Sequence, residues 1–329
     1  MSLFKAFRFG RLLKQGVAAL RQTRVMDIMT KYVVTISPEK SVPEVAAIMI
    51  GEDVSALVVE QAGKPAGILT ERDFITKVPT TKKALSLKTA TMMSCVGKER
   101  MVEAVRPETT LLEARRLMRA KRIRKLVVTN KDGLIAGIIT QTDLSRFLYD
   151  RLAVIARLPD APALVRNAMS SKIVSAAQNA TFAQAKKLMM QKNISALPIT
   201  HKNEYVGIFT EYDVVAQFYD AGGKLDIPIM GKIMHSPVKA ISGDISIFDA
   251  NMIMLFEKVR RLLVLDGKKV IGIVSQTDLV HACFEYAELL ARELEEGRRF
   301  TTDDLVPLRR SSSITSEYIN EHIRAYTVQ

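Results

Sequence analysis

The chain has 329 residues, a net charge of +13, and a composition 48% apolar and 25% charged, the profile of a globular protein with room for two or three cores. No apolar run approaches the roughly 20 residues needed to cross a bilayer, and the Arg and Lys scattered through the N-terminus leave no continuous signal-peptide core. Cys95 and Cys283 stand far apart with no metal-like spacing, which excludes a disulfide framework and points to a reducing, cytoplasmic setting.

Residues 1–26 hold six basic side chains and no acidic one. Within them, FKAFRFGRLLKQGVAALRQTR reads as a basic helix with Phe4, Phe7, Leu12, Leu13, Val17 and Leu20 available to bury, weakened by Gly10 and Gly16. Such a segment, taken as 1–23, can dock on the rest of the chain, on an anionic membrane or on a partner.

From residue 24 onward the chain repeats itself. The phrases GILTERDF from Gly67, GIITQTDL from Gly137, GIFTEYDV from Gly207 and GIVSQTDL from Gly272 share a Gly, a Thr or Ser and an Asp. Each lies in a unit with the same order of parts. A short first strand such as VVTISP precedes a capped amphipathic helix. An apolar strand follows (SALVVE, KLVVTN, SALPIT, RLLVLD), then a tight turn (Gly63-Lys64, Asp132-Gly133), then a second strand bearing the phrase, which runs into a second helix. The two strands read as a hairpin and the whole unit as β-α-β-β-α, an α/β layer too small to be stable alone.

Odd units carry Ser-Ala ahead of the apolar strand (Ser55-Ala56, Ser195-Ala196). Even units carry two basic residues there (Arg124-Lys125, Arg260-Arg261). The alternation implies a duplicated pair. We expect one pair over 24–150, with repeats 24–79 and 90–150, and another over 163–287, with repeats 163–220 and 228–287. A linker at 151–162 separates them, and a helical tail over 288–329 includes a short helix aligning Ile319, Ile323 and Tyr326.

The Thr-x-x-Asp of each phrase has two readings. A Thr N-cap with an acid at N3 is a capping box. The first helices supply a comparison, because their boxes, Ser41/Glu44, Thr110/Glu113, Thr181/Gln184 and Ser246/Asp249, let N3 vary. At the second helices N3 is always Asp: Asp73, Asp143, Asp213 and Asp278. A short carboxylate can accept from both vicinal hydroxyls of a ribose, while the Thr or Ser hydroxyl and the open N–H groups of the helix start can meet a phosphate. The basic pairs suit phosphate too, although basic residues at a strand edge also discourage edge pairing. RRLMRAKRIRK at 115–125 places Arg115, Arg119 and Arg122 on one helical face and Leu111, Ala114 and Met118 on another, which reads as a solvated face, with attraction of polyanionic ligands into the cleft or contact with nucleic acid as the alternatives.

The four phrases, their strands and their spacing resemble cystathionine-beta-synthase (CBS) domains, which pair into Bateman modules. The resemblance covers about 24–287. The four-repeat plan is similar to that of stand-alone nucleotide-sensing CBS proteins and of the gamma subunit of AMP-activated protein kinase. It implies adenosyl ligands (AMP, ADP or ATP, with S-adenosylmethionine or a dinucleotide as variants) held by Thr70/Asp73, Thr140/Asp143, Thr210/Asp213 and Ser275/Asp278. Phosphates would meet Arg124, Lys125, Arg260 and Arg261, with Ser55, Ala56, Ser195 and Ala196 leaving room for the ligand. Val34, Val174 and Val238 are candidate walls for the base. The implied role is regulatory, with an effector protein or a homodimer as the readout. The other reading is a structural or nucleic-acid-binding scaffold with vestigial clefts, although no stacking or helix-turn-helix motif supports sequence-specific binding. His201, His235, His281 and His322 fall in no metal-ligand spacing, and no Walker loop, nucleophile elbow or kinase signature occurs; we expect no catalysis.

Overall fold

The computed structural model describes residues 3–95, 102–152, 163–220, 234–297 and 323–326. Four mixed α/β repeats follow the N-terminal helix α1 (Leu3–Gln22). The first contains α2 (Val25–Ile28), β1 (Thr35–Ile36), α3 (Val42–Gly51), β2 (Ala56–Gln61), β3 (Lys64–Thr70) and α4 (Glu71–Thr76). The second contains α5 (Thr89–Met92), β4 (Ala104–Val105), α6 (Leu111–Lys121), β5 (Lys125–Thr129), β6 (Ile135–Thr140) and α7 (Gln141–Leu152). The third repeats this with α8 (Val165–Ala168), β7 (Ala176–Ala177), α9 (Phe182–Lys192), β8 (Ala196–His201), β9 (Glu204–Thr210) and α10 (Glu211–Asp220). The fourth comprises β10 (Val238–Ser242), α11 (Ile247–Phe256), β11 (Arg261–Asp266), β12 (Lys269–Ser275) and α12 (Gln276–Glu295).

Every repeat builds its sheet the same way. The short first strand runs parallel to the second, across the capped helix, and the second and third strands form the expected antiparallel hairpin. Ser41, Thr110, Thr181 and Ser246 are the N-caps of α3, α6, α9 and α11, as the capping pattern predicts. At the hairpin turn of the first repeat the chain needs a left-handed residue, and Gly63 supplies φ 76°.

Two kinds of interface join the repeats. Along the first, chain segments cross. Ser94 of the second repeat bridges to Ile68 of the first, and Thr30 of the first bridges to Ile138 of the second. The second half copies this with His235 to Ile208 and Ser170 to Ile273. The preceding methionines lie on the glycines of the recurrent phrase. A Cβ on Gly67, Gly137, Gly207 or Gly272 would stand 2.5–2.7 Å from the Sδ of Met93, Met29, Met234 or Met169 respectively. The phrase keeps its glycine because a methionine from the paired repeat occupies the space of a side chain.

The second interface joins the halves of the chain through helices. Repeats 1 and 3 share one core, in which Phe74 and Phe218 meet at 5.8 Å between ring centroids. Repeats 2 and 4 share another, in which Phe147 stacks on Phe284 at 6.2 Å. Helix α1 belongs to this second core. Its Leu13, Val17 and Leu20 are buried against α6, α7 and α12, and Gly16 lets it approach α7 so closely that a Cβ would be 2.8 Å from the Arg151 carbonyl. Docking on the chain itself is therefore the observed fate of the helix, while the side chains of Phe4 and Phe7 lie outside the described residues.

Two expectations are corrected. Residues 323–326 are not helical; they form β13 (Ile323–Tyr326), antiparallel to β10 and completing a fourth strand of that sheet. The open ladder edge of β10 supplies hydrogen bonds that a four-residue segment cannot make with itself. Ile319 and the expected linker from residue 153 to 162 lie outside the described residues. Arg115 does not face solvent: it is 3% exposed, its guanidinium 5.0 Å from the centre of the Phe284 ring and 2.9 Å from Glu288. Packing between repeats 2 and 4 covers the side of α6 on which it stands, while Arg119 remains exposed and paired with Glu285.

Candidate ligand site at the four-repeat junction

Each recurrent phrase ends where a strand turns into a helix, and the capping geometry is uniform. Oδ2 of Asp73 accepts from the Thr70 N–H at 2.7 Å and its hydroxyl at 2.8 Å; for Asp143 and Thr140 the distances are 2.8 and 2.7 Å. Asp213 holds Thr210 at 2.6 and 2.8 Å, and Asp278 holds Ser275 at 2.9 and 2.6 Å. One carboxylate oxygen is thus committed to the cap.

The other oxygen reaches the paired repeat. Oδ1 of Asp73 accepts from Ser94 Oγ at 2.8 Å and pairs with Lys77 at 2.7 Å. Oδ1 of Asp213 lies 3.1 Å from His235 Nε2, a hydrogen bond that raises the His235 pKa above its usual value. Asp143 receives a hydrogen bond from Thr30, although burial dominates and pushes its carboxyl up. Facing the fourth repeat, Ser170 of the third takes the same backbone place, but its hydroxyl lies 3.4 Å from the Lys172 carbonyl. Here is a second reason for Asp over Glu: its span suits a cap and a cross-repeat contact together. The signal was present in the sequence as Met-Thr, Met-Ser, Met-Ser and Met-His at 29–30, 93–94, 169–170 and 234–235, and pattern reading overlooked it.

The residues ahead of the apolar strands are tied to these helix starts. The carbonyls of Ser55, Arg124, Ser195 and Arg260 accept from the first helical N–H of their own repeat, at 3.3, 3.0, 3.2 and 2.9 Å in turn. The next residue sits across the ladder from the cap, Lys125 opposite Thr140 and Arg261 opposite Ser275, with Ala56 opposite Thr70 and Ala196 opposite Thr210. The folded chain therefore brings the even-repeat basic residues to the point where the repeats converge.

There they line a small cavity open to solvent with Ser55, Thr140, Gln141, Thr142, Ser275, Gln276 and Thr277. The N-termini of α7 and α12 both open on it. Seven of the sixteen residues singled out from sequence are in this lining; the four Asp carboxylates, Thr70, Thr210, Ala56, Ser195 and Ala196 stand outside it. Val34 and Val174 are half-buried against the core of repeats 1 and 3, and Val238 is buried on the sheet of repeat 4.

Charge at the junction is unequal. Arg124 pairs with Glu211 at 2.6 Å and Arg260 with both oxygens of Glu71 at 3.0 Å, each pair crossing from one half of the chain to the other. Arg72 adds a contact to Glu211 at 3.3 Å. Lys125 and Arg261 instead donate to uncharged oxygens, the Ser55 carbonyl at 3.2 Å and the Ser195 hydroxyl. Lost hydration and the neighbouring Arg124 pull the Lys125 pKa down to about 8. Burial likewise pulls Arg261 down to about 10, against the attraction of Glu211. Burial pushes Glu211 upward, but Arg124, Arg261 and Arg72 outweigh it and hold the carboxyl below its usual range. Sequence reading assigned no role to Glu71, Arg72 or Glu211, although Glu in odd phrases and Gln in even ones was there to see.

A family model for the CBS domain matches residues 25–80, 99–150, 165–220 and 230–285, which is most of the chain and all four of the repeats just described. The chain belongs to the CBS-domain family. Among curated relatives, an uncharacterized protein of Methanocaldococcus jannaschii, MJ1404, is 26% identical over 272 residues, 78% of this chain, and the chain spans 61% of that protein's length. A second protein of that organism, MJ1225, is 25% identical over 195 residues, 56% of this chain and 69% of its own. The crystal structure of MJ1225, proposed as an archaeal homolog of g-AMPK, superposes with a TM-score of 0.66 at 18% identity, covering 79% of this chain and 99% of the other. An uncharacterized conserved protein from Pyrococcus horikoshii superposes at 0.52 with 21% identity, over 79% and 100%. These structures share the arrangement of CBS repeats. Among the described residues no helix is long and apolar enough to cross a membrane, and no group of three His, Cys, Asp or Glu side chains is placed to hold a metal ion.

Proposed function

We propose that this CBS protein is a regulatory sensor of adenine nucleotides, which bind in clefts between paired repeats with their phosphates in the central cavity. One observation carries the reading: two helix N-termini and four basic side chains converge on the cavity, and Lys125 and Arg261 there donate, among the described residues, to neutral acceptors. Phosphate oxygens would supply the missing negative charge, and charge-assisted hydrogen bonds are the strong ones. A sulfonium ligand such as S-adenosylmethionine brings a positive charge and no phosphate, so AMP, ADP and ATP suit the cavity better. The ribose would engage the Oδ1 of an Asp, exchanging the contact now made to Ser94, Thr30 or His235 while Oδ2 stays in its cap.

Such a ligand touches residues from both halves of the chain. It can report to a partner only if it binds two packings of the repeats with different affinity. The competing reading, a scaffold whose clefts hold nothing, draws on the same carboxylates, since all four are already engaged in capping.

Thermal unfolding separates the two. AMP, ADP or ATP at about 100 times its dissociation constant should add about 2.7 kcal/mol of stability, and Asp→Asn at 73, 143, 213 or 278 should weaken the response at whichever clefts are filled. If no adenine nucleotide moves the melting temperature while DNA or RNA binds tightly with a steep salt dependence, the scaffold reading replaces this one.

A further inference from the structure

The two carboxylates of the junction belong to the odd repeats alone. Glu71 and Glu211 are the first residues of α4 and α10, where the even repeats have Gln141 and Gln276, close in shape and uncharged. All four side chains are buried, with exposures of 2–6%. The chain thus holds its own comparison. A polar, well-packed residue is all that the helix start requires, because Gln meets that need twice. What Glu adds is charge, and it adds it beside the guanidinium groups of Arg260 and Arg124, which line the cavity.

Resting on the nucleotide reading above, we propose that Glu71 and Glu211 are specificity-determining counter-ions that limit how many phosphate charges the cavity accepts, favouring a nucleoside monophosphate over a triphosphate. Five cations, Arg72, Arg124, Lys125, Arg260 and Arg261, face two carboxylates here, a surplus of three positive charges. A monophosphate dianion can be accommodated by Lys125 and Arg261 while both Arg–Glu pairs persist. A triphosphate, with about four negative charges, must also recruit Arg124 and Arg260, whose forks already hold carboxylates. It then either displaces Glu71 and Glu211 or lies within a few ångströms of them, in surroundings that screen charge less than water does. The same carboxylates act on both unpaired cations, since each favours the protonated forms of Lys125 and Arg261.

The test is titration calorimetry in metal-free buffer with four probes: AMP, ATP, inorganic phosphate and tripolyphosphate. The proteins are the wild type, Glu71→Gln/Glu211→Gln, each single variant, and a control, Glu108→Gln/Glu296→Gln, which removes as much charge from exposed positions. Gln at both junction sites should raise the ATP-to-AMP and tripolyphosphate-to-phosphate affinity ratios on the order of tenfold, with the singles in between and the control unchanged. If the double variant does not fold, the singles carry the same comparison. Ratios that stay put, or that shift equally in the control, overturn the proposal. Nucleotides that bind with unmoved ratios leave the sensor reading standing without it. Tripolyphosphate selectivity that shifts in a protein blind to AMP and ATP sustains the counter-ion role and removes the nucleotide reading. Binding of no probe removes both.

Discussion

The glycine that opens each recurrent phrase sits within a strand, where glycine ordinarily weakens pairing. Its cause is a neighbour: the methionine from the paired repeat lies where its Cβ would be. The four sites differ in what else stands near. At Gly67 the nearest atoms an added methyl meets all belong to the Met93 side chain, which can shift. At Gly137 it also meets the Thr30 carbonyl at 2.9 Å, and at Gly272 the Ser170 carbonyl at 2.8 Å, and neither backbone oxygen can yield without breaking the cross-repeat bridge. Gly137→Ala and Gly272→Ala should therefore each cost about 1–3 kcal/mol in urea unfolding. Gly67→Ala should cost less and be relieved by Met93→Ala, whereas Met29→Ala should not relieve Gly137→Ala. Equal costs at all three sites, or equal relief, would show that the carbonyls are not the obstacle.

Strands, helices and caps were readable because their determinants are local: apolar runs beside turn residues, Ser or Thr three places before an acid or amide. The Met-polar pairs were equally visible but carry no meaning until the crossing of chain segments is known. What lay beyond reach was which helices meet. Arg115 occupies a polar face by helical spacing, and only the packing of α6 near α12 turns that face inward onto Phe284. Likewise IRAY is helix or strand by composition, and the open edge of β10 decides. Helix α1 shows how an added element is tied in. It straddles α6 and α7 of repeat 2 and α12 of repeat 4, burying Leu13, Val17 and Leu20. At about 1.5–3 kcal/mol for each such side chain, removal of residues 1–22 should cost about 5–9 kcal/mol. Amide exchange should accelerate in α7 and α12 and stay unchanged in α4 and α10, which belong to the other core. Acceleration spread evenly over both cores would contradict that division.

In the whole molecule the two kinds of interface meet at one place. Sheets and crossing segments join repeat 1 to 2 and repeat 3 to 4, helices join 1 to 3 and 2 to 4, and ion pairs close the remaining diagonals, repeat 1 to 4 through Glu71 and Arg260, repeat 3 to 2 through Glu211 and Arg124. The cavity at that centre is where a small anion would contact both halves at once, and the odd–even alternation seen in the sequence is the alternation of charge around it. The most direct test is the calorimetric affinity of AMP for the wild type and for Lys125→Met/Arg261→Met, with the unfolding temperature of each recorded. Loss of two charge-assisted contacts, at about 1.5–3 kcal/mol each, should weaken AMP at least about 100-fold with the protein still folded. Equal affinity in the two folded proteins would contradict the account, because AMP would then be binding without the junction.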